Sequence, residues 1–207
     1  MKVLLGKKIA MSQVFADGGD VIPVTLVEAG PCTVVTTRVA PNGKHTMVLG
    51  FGTQRNQNKA QQGQFADLGS FRETQEFTLA DGETVERGAK LDATVFTIGD
   101  TVNIVGTAKG RGFQGVVKRH GFAGHPSTHG HKDQLRKSGS IGAGGIQRVF
   151  KGMRMAGRMG GNRVTVKNLE VVSIDLDKNI IAIKGAIPGA RNSAITIFAS
   201  NGNVWQK

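Results

Sequence analysis

Cysteine is almost absent from the 207 residues: Cys32 is the only one, and tyrosine does not occur at all. One cysteine cannot close an internal disulfide, nor supply the paired thiolates of a Cys-rich zinc finger. A lone thiol fits a reducing compartment. Long apolar runs are missing too. No stretch approaches the roughly 18 residues that a membrane helix needs. Near the N-terminus the longest apolar run is Val3-Leu4-Leu5. A signal peptide needs about 7–15 such residues, so the expectation is a cytoplasmic chain with no membrane segment. Acids are scarce as well, 15 against 27 Lys+Arg, for a net charge of +12. Hydrophobic residues still make up 39%. That is enough to bury a core and excludes a wholly disordered chain. The length allows one large domain or two small ones.

The shortage of acid is local. From Gly106 to Lys167 there are 13 Lys+Arg and a single acid, Asp133. The rest of the chain holds 14 basic and 14 acidic residues, so the whole excess sits in these 62 residues. Half of the 30 glycines and four of the five histidines sit there too. An ordinary solvated surface mixes both signs. A one-sided block repels itself and stays extended unless a polyanion neutralises it. The composition therefore divides the chain into a neutral β-rich globular part (1–105 and 164–207) and a basic, Gly-rich extension (106–163).

The flanks read as short strands. Asp20 to Val27, Cys32 to Val39 and Thr46 to Phe51 are rich in β-branched residues, with Asn42-Gly43 as a hairpin signal. Gln54 to Gln64 is polar and fits a short helix or a loop. Phe71 to Phe77, Thr94 to Ile98 and Thr101 to Val105 read as strands. So do Val164 to Val166, Leu169 to Leu176, Ile180 to Lys184 and Ile195 to Phe198. Many short strands with frequent turn signals indicate a closed β-barrel or a sandwich. In the extension, Phe113 to His120 fits two turns of helix, with Val116 and Val117 inward. From Gly121 to Gly161 apolar residues are sparse, and that stretch cannot bury enough surface to fold alone.

Several motifs invite chemistry, and each meets a physical objection. Gly110-Arg111-Gly112-Phe113-Gln114-Gly115 matches a dinucleotide-binding loop, but no second strand of a βαβ unit follows. The same run fits a kinase glycine loop, yet no H-R-D or D-F-G is present. A glycine-rich turn that brings backbone N–H groups and Arg111 close to phosphates is the better reading. His120, His125, His129 and His131 raise a metal site, but nearby cations oppose a dication and Asp133 is the only other hard ligand. Ser127, His129 and Asp133 lack the G-x-S-x-G elbow and scaffold of a hydrolase. Paired carboxylates are absent from the extension, which removes general acid/base work of the glycosidase type. With these objections together, no catalytic role, metal or cofactor is expected.

Lys151 to Gly161 is more informative. Cations recur at 151, 154 and 158, with four glycines in eleven residues, which argues against a stable helix. Cations on a flexible chain suit the crowded interior of folded RNA, where arginines fork onto phosphates. Phe113, Phe122 and Phe150 offer faces on which bases stack. A DNA reading is weaker, because no helix-turn-helix, zinc finger or basic-zipper pattern occurs. A membrane-surface reading lacks an amphipathic period. A nonspecific nucleic-acid chaperone is a further alternative. It predicts equal affinity for any RNA or DNA.

The ordered motifs carry a resemblance. Gly110-Arg111-Gly112-Phe113-Gln114-Gly115-Val116-Val117-Lys118-Arg119-His120, Thr128-His129-Gly130, Gly139-Ser140-Ile141-Gly142 and Val149-Phe150-Lys151-Gly152 come first. Met155-Ala156-Gly157-Arg158-Met159-Gly160, Arg163-Val164-Thr165-Val166 and Lys184 to Ala190 follow. Together with Gly6 to Phe15, they resemble the ribosomal protein L-three family over essentially the whole length. The length resembles bacterial or organellar members. The resemblance implies a translation-factor-like β-barrel with a small inserted α+β region, about 54–90. It implies a long central extension that reaches through ribosomal RNA toward the peptidyl-transferase centre, its tip near Gly139 to Lys151. It implies a structural, non-enzymatic role on the large ribosomal subunit, early RNA binding in assembly, and the neighbours L-fourteen and L-nineteen. Some bacterial members carry a methylatable glutamine directly after Gly-Ser-Ile-Gly. Here that position is Ala143, the run to Val149-Phe150 is about one residue shorter, and Gln147 is the nearest glutamine.

The expected RNA-binding residues fall into groups. Lys109, Arg111, Lys118 and Arg119 hold the root of the extension. Lys132, Arg136 and Lys137 line one leg; Arg154, Arg158 and Arg163 line the other. His120, His129 and His131 stack on bases or touch phosphates, and Lys167 completes the set. Arg148 and Lys151 lie near the tip.

Overall fold

A computed structural model of the chain describes residues 2–16, 18–41, 43–65, 67–80 and 83–199. The architecture is mainly β. In chain order come β1 (Lys2–Phe15), β2 (Val21–Ala29), β3 (Cys32–Val39), β4 (His45–Phe51) and the helix α1 (Lys59–Phe65). Then follow β5 (Glu73–Thr78), β6 (Lys90–Leu91), a 3-10 turn at Ala93–Val95, β7 (Thr101–Thr107), β8 (Phe113–Gln114) and α2 (Val116–His120). The order ends with β9 (Gly157–Arg158), β10 (Arg163–Asp175), β11 (Ile180–Lys184) and β12 (Ala194–Ala199). Among the described residues no helix is long and apolar enough to cross a membrane. The chain divides into two units: Met1–Thr107 with Arg163–Lys207, and Ala108–Asn162.

In the first unit six strands close into a barrel in the order β1, β12, β7, β10, β11, β2. All neighbours are antiparallel. Closure satisfies backbone groups that an open sheet would leave at its edges. β1 is long enough to serve two partners. Lys2–Lys7 pair with β12, and Gly6–Phe15 pair with β2 across a bulge between Lys8 and Ala10. A second sheet, β5-β4-β3-β6, belongs to the same unit. One continuous core runs from Leu4, Ile104, Ile181 and Ile197 of the barrel to Val34, Met47 and Leu49 of that sheet. Val35, Phe65 and Phe71 form a small separate core, the two rings edge to face at 5.5 Å.

Two polar groups inside the barrel pin one segment of chain. The buried Lys8 ammonium donates to the carbonyls of Ile187 (2.8 Å) and Gly189 (3.3 Å). The buried Thr25 hydroxyl donates to the Gly185 carbonyl at 2.7 Å. These bonds offset the cost of taking a charge and a hydroxyl out of water. The motif Lys184 to Ala190 is thereby fixed from within.

Local sequence pattern and structure part company at several places. β1 carries no alternating signal, because Val3, Leu4 and Leu5 are all buried and successive side chains point to opposite faces. Both faces of the strand are covered, and Gly6-Lys7-Lys8 disguises the rest. Thr94 to Ile98 is not a strand. The Val95 N–H donates to the Asp92 carbonyl and the Phe96 N–H to the Ala93 carbonyl. This turn sends Ala93 and Phe96, three residues apart, into the core. Val164–Val166 and Leu169–Leu176 are not separate strands; β10 runs through both up to Asp175. The register slips between Val166 and Leu169, where Asn168 adopts φ +58°. At the 54–90 region, β5 pairs with β4 along Thr46–Phe51, and β6 pairs with β3. β7 continues through Gly106 and Thr107, and Arg163 opens β10, so the barrel strands run past 105 and start before 164. Asn42 of the expected hairpin turn lies outside the described residues, as do residues 200–207.

Candidate nucleic-acid interface

The second unit has almost no interior. Of Ala108–Asn162, all of which are described, only Val116 is buried. Phe113, Leu135, Ile141, Ile146, Val149, Phe150, Met153 and Met155 are all exposed. The expected two-turn helix over Phe113 to His120 is shorter than its apolar pattern indicates. Gly115 takes an extended conformation and splits the segment into β8 and α2. Gly121 then ends α2 in the left-handed region at φ 72°, its N–H donating to the Val117 carbonyl. Lys118, Arg119 and His120 occupy the last turn, where the helix dipole favours cations.

Backbone bonds hold the two ends of the insert together. The Ala108 N–H donates to the Asn162 carbonyl (2.9 Å), and the Gly161 N–H to the Ala108 carbonyl (3.0 Å). Arg111 N–H to Met159 O and Met159 N–H to Gly112 O follow, each 2.9 Å. Phe113 then pairs with Arg158 and Gln114 with Gly157. Within the glycine turn, the Gln114 amide donates to the Arg111 carbonyl. The expected turn at 110–115 is therefore one leg of an antiparallel pair, not the first loop of a βαβ unit.

The structure leaves most of the predicted residues in solvent. Lys109, Arg111, Lys118, His129, Lys132, Arg136, Lys137, Arg148, Lys151, Arg154 and Arg158 are exposed. Arg119, His120 and His131 are half-buried. Arg163 and Lys167 are exposed too, but they stand on the barrel strand β10 and belong to the other unit. The insert holds 11 Lys+Arg and one acid. Among the described residues, none of the 11 forms an ion pair; the pairs seen all lie in the barrel unit. Such a set of like charges raises a positive potential and attracts a polyanion.

Some predicted residues have an internal task that sequence does not reveal. Arg119 Nη1 donates to the Met155 carbonyl at 2.7 Å, and His120 Nε2 lies 3.1 Å from the same oxygen. These two side chains tie α2 to the returning leg. Gly157 makes room for this: a Cβ there would sit 2.7 Å from Arg119 Nη1. Arg154 lies over the Phe122 ring at 5.8 Å and Arg148 near the Phe150 ring at 6.0 Å. The His125 and His131 rings stack at 5.4 Å. Charge counting points to the cations, but it does not find Met155 or His125, whose roles come from the meeting of segments far apart in sequence. Among the described residues no group of three His, Cys, Asp or Glu side chains is placed to hold a metal.

These features define a class of protein: a closed β-barrel joined to a long cationic insert that has no core of its own. The profile of the family described as Ribosomal protein L3 matches residues 45–179. The chain is 47% identical to the large ribosomal subunit protein uL3 of Desulfitobacterium hafniense over 204 residues, 96% of each chain. It is 47% identical to the protein of the same name from Herpetosiphon aurantiacus over 199 residues, 94% of each. For the Streptococcus pyogenes protein the figure is 45% over 201 residues, 95% of each. The chain belongs to the ribosomal protein L3 family, whose members are structural and not enzymes.

Proposed function

We propose that this chain is a structural component of the large ribosomal subunit in the cytoplasm and binds large-subunit ribosomal RNA. The barrel unit docks at the subunit surface, a translation-factor-like barrel in this reading. The segment 106–163 acts as the extension that neutralises phosphates within the RNA and reaches toward the peptidyl-transferase centre. Early binding then nucleates subunit assembly, with L-fourteen and L-nineteen as neighbouring proteins. The observation that carries this reading is the insert's imbalance: 11 cations and one acid, with no ion pair among the described residues. Eight large apolar side chains are exposed beside them. A free surface of this kind is costly, and folded RNA supplies both the phosphates and the base faces that match it. If six or seven cations displace counterions, the logarithm of affinity falls with that of salt with a slope of about −4 to −6. The test is binding of the full chain to large-subunit ribosomal RNA across a salt series, with unrelated RNA as competitor. A second chain, with Gly130–Gly160 replaced by a short Gly-Ser linker, is measured alongside. Preference for ribosomal RNA, with affinity and slope both lowered in the linker chain, is the expected result. Equal behaviour of the two chains would show that the extension is not the anchor.

A further inference from the structure

Within the insert lies a cleft of about 640 Å³. Val116, Ile141, Met155 and Ala156 give it apolar lining. Gln134, with both a donor and an acceptor on one planar amide, lines it too, together with the cations Arg136 and Lys137. Residues 115–116, 125, 134–141 and 155–156 meet here, and hydrogen bonds tie these stretches together. The Met155 carbonyl accepts from Arg119 and faces His120. The His125 N–H donates to the Leu135 carbonyl at 3.1 Å, and the Lys137 N–H to the Gln134 carbonyl at 3.0 Å. Val116, the one buried residue of the insert, is part of the lining. Phosphate neutralisation needs exposed cations and no cavity. A cavity whose lining combines apolar side chains, an amide and two cations has a different use.

We infer that this cleft receives the base of an unpaired RNA nucleotide, reading it through Gln134 while Arg136 and Lys137 hold the adjoining phosphates. Folded RNA presents such bases splayed from loops and bulges, and proteins bind them by apolar contact and amide hydrogen bonds. The volume lies in the range of a small-ligand pocket. The positive lining selects a nucleotide over a segment of protein: the insert has one acid to 11 cations, and a polyanion is its complement. This inference rests on the RNA-binding function proposed above, and adds one site of base recognition to it.

The test uses the full chain, deproteinised large-subunit ribosomal RNA and chemical probing of base edges. Ala156→Phe fills the cleft without changing charge, since Ala156 lines it. Gln134→Ala removes the amide and fills nothing. The expected result is that the parent chain protects an unpaired base which both variants re-expose. Affinity falls about tenfold for Ala156→Phe, at an unchanged salt slope. Parent binding with the same footprint and affinity in both variants would refute the cleft and leave the RNA-binding function standing. Failure of the parent chain to prefer ribosomal RNA would remove both. A footprint that depends on the cleft only after other ribosomal proteins are added would assign it to a protein partner and overturn the inference.

Discussion

Replacing Lys109, Lys118 and Lys132 together by glutamine removes three charges that do nothing else in the fold. All three are exposed, and among the described residues none has a carboxylate partner. Each phosphate contact contributes about 0.7 to 0.9 to the salt slope, so the slope becomes less negative by about 2 to 3. At 0.1 M salt the same three contacts are worth about 100- to 500-fold in affinity, or about 3–4 kcal/mol. Exposed substitutions of this kind change stability by no more than about 0.5 kcal/mol each. The thermal transition of the barrel therefore stays in place while binding collapses. The assay is fluorescence anisotropy with labelled ribosomal RNA over a salt series, paired with a melt of each chain. Arg119→Gln is the informative contrast. It removes one charge and also releases the Met155 carbonyl, so protease sensitivity of the insert rises as well. An unchanged slope in the triple variant would refute the reasoning, because free cations at these positions would then not meet phosphate.

Three further outcomes follow from the barrel unit. Gly50→Ala places a Cβ 2.5 Å from Phe71 Cγ, and urea unfolding should show a loss of about 1–3 kcal/mol, relieved when Phe71→Ala is added. Burial pushes the Cys32 thiol up to about 12, and the thiol donates to the Leu5 carbonyl, so thiol reagents at pH 8 should label it only as the protein unfolds. Burial alone would raise the Asp100 carboxyl, but bonds from the Lys2 ammonium (2.8 Å) and the Thr97 N–H (2.9 Å) hold it below its usual range. That stabilisation is present above the unfolded carboxylate's pKa and is lost as pH falls through the lowered folded value. The melting-temperature gap between the parent and Asp100→Asn should be open at pH 7 and close below about pH 4.

How far the sequence reaches depends on what sets each feature. The bounds of Cys32–Val39 and Ile180–Lys184 read directly, because β-branched residues and flanking turn residues agree there. β1 was hidden locally, since a strand covered on both faces has no alternation to show. The resemblance did mark its residues, Gly6 to Phe15. The 3-10 turn at Ala93–Val95 misled, because its apolar residues serve the core at a spacing of three. In the insert, charge is additive along the chain, so the cations stand out without any structure. The Arg119 and His120 contacts with Met155 do not, because they join residues some 35 apart through a backbone carbonyl. The cleft lined by Val116, Ile141 and Met155 is invisible for the same reason.

The two partners of β1 also set a timetable for synthesis. Its first residues pair with β12, so Lys7 finds Ala194 only after everything between them has been made. At about 5–20 residues per second, that wait is about 10–40 s. The β1–β2 hairpin can form at once, but the barrel cannot close. All of Ala108–Asn162 emerges inside this interval, ahead of β10, β11 and β12. The cationic segment is thus exposed while its own scaffold is still open. A newborn chain of this design is exposed to wrong partners first and acquires its rigid frame last.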